Sequence, residues 1–587
     1  MRGGGVAFRR LDDLMAAVAA SRRWANPAAA YPALAALVYL AIGLALLPQV
    51  GTFLYKDEVN YIAAAERYAR GDFANAPNSY WGPLTSWLLA AALGLGAPPV
   101  LAARLVSLGV GAATLFAAQR LADAFDLPKA WQALMLAALV PALLYFALPF
   151  VSADLPLACI LGFYFAEILT RRYGARRYAG ALCGLLGGLA YFTKAYALPF
   201  FLLHFTLVTV VHALAATDRA VRGRVLRHYA SGLAVFAVLA AAWIGVLNHK
   251  YGEITTGLTG PYNWAIVGPH AAGRPIQHIG FAAPPPTATV SIWEDPRYFY
   301  DLPQARACCL KPWSPVESRE AMARVVQLVA QNLRRTASIL VDISIGALAV
   351  CAAALVVLAR PPPRRHGAPA PQASRPARLG LAWAFLARRL EGPRLTLALS
   401  LLTLAVYAGP YLLVYSDERY LWPLVPLILA MGLSLLRMAA ASGLGWPGGW
   451  AVLAGLFALT FIPHPMNQIW TGAERRQALA VFGEALAGET LAGARIASNT
   501  DYGGGMLMAY RVGAKYYGQP APGWSPQAVA DDLRRHGVDY YLIFDGAPPP
   551  PGMALVRKVQ AGDQVLSVYG VRPGRQAERA ARSGRPS

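Results

Sequence analysis

Two neighbouring carboxylates, a third acid, a lysine and an arginine have the side-chain types needed to move a group from a phosphate to a hydroxyl. Asp57 and Glu58 follow the first long apolar run directly and lead into an amphipathic helix pattern over residues 58–68. Asp154 stands in Phe150-Val151-Ser152-Ala153-Asp154-Leu155-Pro156, between two apolar runs. Lys194 lies in Thr193-Lys194-Ala195-Tyr196, and Arg419 in Ser416-Asp417-Glu418-Arg419-Tyr420. A carboxylate can take the proton from an attacking hydroxyl, and a cation can stabilise the departing phosphate, which arginine grips through two parallel N–H groups. Each residue also has a plainer reading. Asp57 and Glu58 suit the first turn of a helix as caps or interface charges, and Asp154 suits an N-cap with Pro156 in the turn that follows. Lys194 can snorkel to a membrane interface, and Arg419 can pair with Asp417 or Glu418. Adjacent helix positions point about 100° apart, so only one of Asp57 and Glu58 can face a given pocket.

The elements that must position these residues are membrane spans. Of 587 residues 56% are hydrophobic and 14% charged, with mean hydropathy +0.39. Soluble domains carry about 25% charge, so the composition is that of a polytopic membrane protein. The net charge of +22 comes largely from arginines in short loops, where it sets topology rather than binding nucleic acid. The five cysteines have neither metal spacing nor a disulfide framework. Cys159, Cys183 and Cys351 lie in apolar runs, and Cys308-Cys309 in a long loop.

A span needs about 20 mainly apolar residues. Apolar runs at residues 31–47, 99–118, 131–149, 155–170, 179–192, 198–214, 229–247, 336–358, 395–414, 420–436 and 450–461 read as spans, giving about 11. The short run 88–95, flanked by aromatics, reads as an interfacial helix. Counting it as a span would place the Arg-rich loops around Arg171 and Arg219–Arg227 outside. Leaving it on the surface places them in the cytoplasm, as the positive-inside rule requires. Asp57, Asp154, Lys194 and Arg419 then share one extracytoplasmic face. Residues 1–30 read as a retained cytoplasmic lead-in without a cleavage pattern. Within a transmembrane domain at 31–462, outer loops fall at 49–98 and 248–335, and a Pro/Arg cytoplasmic linker at 360–394 is expected to be partly mobile. Residues 474–570 read as a small periplasmic α/β domain, with strands at 494–499 and 538–544 and a helix at 525–536. Residues 571–587 read as a disordered tail. There are no internal repeats, and the apolar runs are nearly free of charge. A secondary transporter would instead place its charges near the midplane.

On these residues the chain resembles the GT-C class of polyprenyl-phosphate-sugar-dependent membrane glycosyltransferases. It is most similar to the bacterial branch of families 39 and 83, which holds the aminoarabinose transferases of lipid A and the protein O-mannosyltransferases. The matching pieces are Asp57-Glu58, Gly71-Asp72-Phe73 with Tyr80-Trp81-Gly82-Pro83-Leu84, the Asp154 loop, Thr193-Lys194, and Glu418-Arg419-Tyr420-Leu421-Trp422-Pro423 with Pro426. Each piece is short; their order and shared sidedness carry the resemblance. It implies that Asp57 is a catalytic base or acceptor-positioning carboxylate, with Glu58 beside it and Asp154 as a second acid. Lys194 and Arg419 become candidates for the lipid phosphate, and Tyr61, Tyr80, Trp81 and Tyr420 further substrate-binding candidates. The chain departs from the aminoarabinose transferases, which carry Glu-Lys-Pro-Pro where Trp81-Gly82-Pro83-Leu84 stands. Without that lysine the resemblance does not extend to aminoarabinose as donor or lipid A as acceptor.

The expected activity is inverting transfer of a sugar from a polyprenyl-phosphate-linked donor to an envelope glycolipid, polysaccharide or protein acceptor, on the periplasmic face of a bacterial inner membrane. Membrane lipids are the other partners. A flippase for lipid-linked sugars would use the same charges without chemistry, and a noncatalytic assembly subunit would use the α/β domain as its contact surface. Asp57, Glu58 and Asp154 offer oxygen ligands for a divalent cation, but no spacing requires one.

Overall fold

A computed structural model describes residues 27–50, 56–216, 218–269, 313–360, 392–442, 446, 448–471, 473–487, 491–500, 502–521 and 523–571. The lead-in before residue 27, Trp293, Cys308-Cys309, the linker at 361–391 and the tail from 572 lie outside the described residues.

The helices run in chain order as α1 (Pro27–Val50), α2 (Lys56–Ala69), α3 (Pro83–Gly94), α4 (Pro99–Ala124), α5 (Lys129–Ala147), α6 (Asp154–Ile168), α7 (Ala179–Thr193), α8 (Ala197–Ala215), α9 (Arg219–Tyr251) and α10 (Thr259–Val267). They continue as α11 (Arg319–Ile343), α12 (Ala347–Ala359), α13 (Pro393–Leu412), α14 (Glu418–Leu421), α15 (Val425–Ala441), α16 (Gly449–Leu459), α17 (Pro463–Trp470) and α18 (Ala473–Leu486). Among the described residues, eight helices are long and apolar enough to cross a membrane, or nine counting one bent pair. The chain is a multi-pass membrane protein. Two further expected spans, at α6 and α7, are helices of 15 residues, about 22 Å at 1.5 Å per residue and short of a typical hydrocarbon core. The short run before residue 95 forms the 12-residue α3.

The expected continuous span at 336–358 is corrected. The helix starts far earlier, at Arg319, ends at Ile343, and meets α12 at a bend of 105°. Ser344 is extended (φ −161°, ψ 123°). Its hydroxyl accepts from the Gly346 N–H at 3.2 Å and lies 2.6 Å from the Thr460 hydroxyl. Ser344 thus takes up backbone and neighbour contacts that a straight helix would not offer. Hydropathy reads through this break because its flanks are apolar.

Small residues set the closest helix contacts, as expected where lipid supplies no hydrophobic drive between helices. A Cβ at Gly180 or Gly184 of α7 would overlap the backbone of His228 or Gly232 on α9. Gly82, just before α3, approaches the Phe192 and Thr193 carbonyls at the end of α7 as closely. At one end of the bundle, Arg171 pairs with Asp126, Arg437 donates to the Asp126 carbonyl, and Arg224 donates to the Gly174 carbonyl. Asp57, Asp154, Lys194 and Arg419 meet at the other end.

The C-terminal residues form a five-stranded sheet in the order β2-β1-β3-β5-β4, with β1 (Arg495–Ser498), β2 (Lys515–Tyr516), β3 (Tyr540–Ile543), β4 (Ala554–Ala561) and β5 (Gln564–Gly570). β1 is parallel to β2 and β3, and the β4–β5 hairpin adds antiparallel to β3 with Leu542 opposite Val568. Helices α19 (Tyr502–Val512) and α20 (Pro526–Arg535) make the crossovers, α20 capped by the Ser525 side chain on the Ala528 N–H. β1, β3 and α20 stand where the sequence places strands and a helix; the hairpin and α19 were not anticipated. This domain shares one apolar cluster with the site end of the bundle. Leu479, Phe482 and Met506 join Val59, Ile62 and Ala65 of α2.

Replacing Gly82 by alanine forces the α7 terminus away from α3. We expect Gly82→Ala to cost about 1–3 kcal/mol, the usual range for overpacking a filled core, read as a lowered thermal midpoint of the detergent-solubilised protein.

Candidate functional site

Helix α2 opens with Lys56-Asp57-Glu58, so both acids sit in its first turn, where the helix dipole favours negative charge. The 100° step sends their side chains apart. Glu58 turns inward, fully buried, and meets Arg104 of α4 with Oε1 and Oε2 each 3.3 Å from a guanidinium nitrogen. Arg104 is itself 1% exposed. Glu58 also accepts from the Val151 backbone N–H, which ties α2 to the segment that leads into Asp154. Asp57 turns the other way, its Oδ2 lying 3.1 Å from Arg419 Nη1.

Arg419 belongs to the four-residue helix α14. Asp417 caps that helix, accepting from the Arg419 N–H at 3.1 Å, and its carboxylate lies 3.6 Å from Arg419 Nε. The same Nη1 that meets Asp57 lies 4.0 Å from Asp154 Oδ2. Trp422, just after α14, stacks on Phe146 at 4.0 Å between ring centroids, and Glu418 lies 3.1 Å from His464 Nε2. The apolar and polar faces of this short turn are thus both anchored, and Arg419 is left facing the acids.

Asp154 is the first residue of α6 rather than its cap; Ala153 holds the cap position and no side chain caps the helix. The Asp154 carboxylate accepts from Lys194 Nζ at 2.7 Å. Lys194 Nζ also sits 3.9 Å from the centre of the Tyr420 ring, a cation–π contact. Asp57, Arg419, Asp154 and Lys194 thus form one alternating chain of charge, drawn from four separate stretches of sequence. Glu58 stands outside it, in its own pair.

Aromatic rings wall this cluster. Tyr61, one turn after Asp57, packs edge-on to Trp81 at 5.1 Å, and Trp81 meets Tyr80 at 4.7 Å. Burial pushes the Tyr61 phenol well above its ordinary value; Asp154 and Asp57 push the same way and Arg419 opposes them. Its hydroxyl therefore stays protonated. The Asn78 side chain accepts from the Tyr80 and Trp81 N–H groups at 2.7 and 3.0 Å, which shapes the turn that presents both rings. A cavity of about 580 Å³ opens among α2, α3, α7, α9 and the loop after α2, lined by Tyr68, Phe73, Trp87, Phe192, Trp243 and Val246 among others. Phe192 leads within two residues to Lys194.

No group of three or more His, Cys, Asp or Glu side chains among the described residues is arranged to hold a metal ion. Glu58 is committed to Arg104, while Asp57 and Asp154 face cations, so the three carboxylates do not converge as a ligand set. Arg104, Asn332 and His464 escaped the sequence reading. A lone arginine in an apolar run is costly unless paired, and that cost was the available signal for Arg104.

No protein-family model matches the chain, and no curated protein sequence matches it. Among solved structures, the Archaeoglobus fulgidus oligosaccharyltransferase in complex with Zn and sulfate matches with a TM-score of 0.51 at 12% identity, over 88% of this chain and 68% of that one. At that identity the likeness is one of fold. The chain has the GT-C fold. ArnT from Cupriavidus metallidurans in the apo state matches with a TM-score of 0.49 at 14% identity, over 91% of this chain and 97% of that one. The mycobacterial arabinofuranosyltransferase AftD matches at 0.41 and 14%, over 92% of this chain and 40% of that one.

Within this GT-C fold the Glu58–Arg104 pair joins three elements with both charges out of water. Removing one partner of such a pair leaves an uncompensated buried charge, which costs about 3–5 kcal/mol. Arg104→Met should therefore lower the thermal midpoint strongly, and the double change Glu58→Met with Arg104→Met should recover most of the loss.

Proposed function

We propose that the chain transfers a sugar from a polyprenyl-phosphate-linked donor to an envelope glycolipid, polysaccharide or protein acceptor, at the periplasmic face of a bacterial inner membrane. The observation that carries this reading is the alternating Asp57–Arg419–Asp154–Lys194 cluster at one end of a membrane bundle, with an aromatic cavity whose lining residue Phe192 stands two residues before Lys194. The cavity suits the apolar isoprenoid tail, and the adjoining cations suit the phosphate. The GT-C fold, shared with an oligosaccharyltransferase, is compatible with such a donor. In this reading the N-terminus is cytoplasmic, the transmembrane domain covers residues 31–462, and the α/β domain at 474–570 is periplasmic.

The chemistry is a single displacement. The donor phosphate draws the Arg419 guanidinium and the Lys194 ammonium toward itself, which loosens their hold on Asp57 and Asp154. Asp57 takes the proton from the acceptor hydroxyl. The resulting oxygen forms a bond to the anomeric carbon as the bond from that carbon to the phosphate oxygen breaks, and the configuration inverts. The electron pair of the broken bond leaves on the phosphate, where Arg419 and Lys194 stabilise the added charge. Asp154 holds Lys194 in place. Glu58 supports Asp57 by fixing the start of α2, and Tyr61, Tyr80, Trp81 and Tyr420 border the sugar.

Asp57→Asn keeps the shape of the side chain but cannot accept the proton. We expect transfer to fall at least about 100-fold, the lower range for loss of a general base, with folded yield unchanged. Full activity of Asp57→Asn with the cognate lipid-linked donor would remove Asp57 from the mechanism. Movement of intact donor across the membrane with its sugar–phosphate bond uncleaved would show a flippase instead.

Filling the cavity tests the tail site separately. Ala242→Trp should raise KM for a long polyprenyl donor by about tenfold, equivalent to about 1.4 kcal/mol of binding, and leave KM for a short-chain analogue nearly unchanged. Equal effects on both donors would place the tail elsewhere.

A further inference from the structure

Arg419 owes its position to a turn that begins several residues earlier, and one side chain on another helix holds that turn. Helix α13 ends at Leu412, where its last carbonyls have no partners within the helix. The residues from 413 to Asp417 then run without regular structure to α14. Asn332, on α11, lies against this stretch and is 5% exposed. Its Nδ2 donates to the Leu412 carbonyl at 3.0 Å and to the Val414 carbonyl at 3.3 Å. Its Oδ1 accepts from the Ser416 N–H at 3.3 Å. The one amide thus satisfies two backbone acceptors and one backbone donor of the connection between α13 and α14.

The same face of α11 adds two contacts at positions three and four further on, the spacing that keeps side chains together on a helix. Arg335 lies with its guanidinium 4.2 Å from the centre of the Tyr415 ring and donates to the Tyr415 hydroxyl. The Thr336 and Ser416 hydroxyls lie 2.7 Å apart, both buried. Ser416 precedes Asp417, the residue that caps Arg419. An unbroken series of contacts therefore runs from Asn332 through residues 412–417 to the guanidinium between Asp57 and Asp154.

We propose that Asn332 is a positioning residue, setting the Arg419 guanidinium for the departing phosphate without touching substrate. An amide is suited to this task because it offers donors and an acceptor at once; aspartate has the same shape but would turn two attractive contacts with carbonyls into repulsive ones. The inference rests on the glycosyl-transfer reading. A displacement of about 1 Å in a catalytic group can cost about 100-fold in rate, so the effect belongs in kcat.

The test compares wild type with Asn332→Ala, Arg419→Lys, the double variant and Asp57→Asn, using a lipid-linked sugar donor and rates normalised to monodisperse folded protein. Asn332→Ala should lower kcat by about 10- to 100-fold with KM for the donor changed less than about threefold. In the Arg419→Lys background, where the guanidinium is already gone, the same change should cost less than about twofold, because coupled residues are non-additive. Wild-type kcat per folded molecule, or an undiminished loss in the Arg419→Lys background, overturns the proposal. If Asn332→Ala does not fold, Asn332→Asp carries the same comparison. An active Asp57→Asn would strike the glycosyl-transfer reading itself, a result independent of the coupling between Asn332 and Arg419.

Discussion

Arg419 lies between carboxylates that reach it from the first turns of two different helices, 3.1 Å from Asp57 and 4.0 Å from Asp154. A cation largely removed from water is tolerable only when its partners come with it. That condition explains much of what surrounds it. Asp57 must be presented by the first turn of α2, Asp154 by the start of α6, and Lys194 by the end of α7 to share the charge of Asp154. Packing without charge also helps set the ends that carry Lys194 and Arg419, through the approach of Gly82 to the end of α7 and the Trp422–Phe146 stack beside α14.

The buried Glu58–Arg104 pair gives the neighbouring acids separate roles. A pair this deeply buried gains little net stability over apolar residues of the same volume, but its geometry is specific. It joins α2, α4 and the Val151 backbone, which ties the helix start bearing Asp57 to the segment that leads into Asp154. The C-terminal domain packs on the same helix through Leu479, Phe482 and Met506. Helix α2 is therefore held between the membrane bundle and the α/β domain.

Much of the architecture was legible from composition alone. Runs of about 20 apolar residues reveal spans because the bilayer leaves backbone groups no partner except the helix itself, and the arginine-rich loops fix which helix ends lie together. The sidedness that brought Asp57, Asp154, Lys194 and Arg419 to one face came from that count, and all four meet in the structure. Illegible were features that depend on a partner distant in sequence. The bend at Ser344 sits in an apolar stretch and is accompanied by a hydroxyl contact with Thr460. The β4 strand has mostly exposed or half-exposed side chains and lies at the edge of the sheet, so it offers no clear alternation to find. Arg104 and Asn332 sit inside helices and gain meaning only from Glu58 and from residues 412–416.

The sequence by itself determined a polytopic helical chain with a small α/β domain, and the set of charges gathered at one end of the bundle. Those follow from local properties: apolar length, loop charge, the short strand-like runs that mark β1 and β3, and the Ser525 start that marks α20. The tertiary structure alone decided which acid meets which partner. Asp57 and Glu58 are equivalent in a list of residues, and helix geometry says only that they part by about 100°. Which direction leads to Arg419 and which to a buried arginine depends on where α4 and α14 stand, and that is set by side-chain packing across the whole bundle.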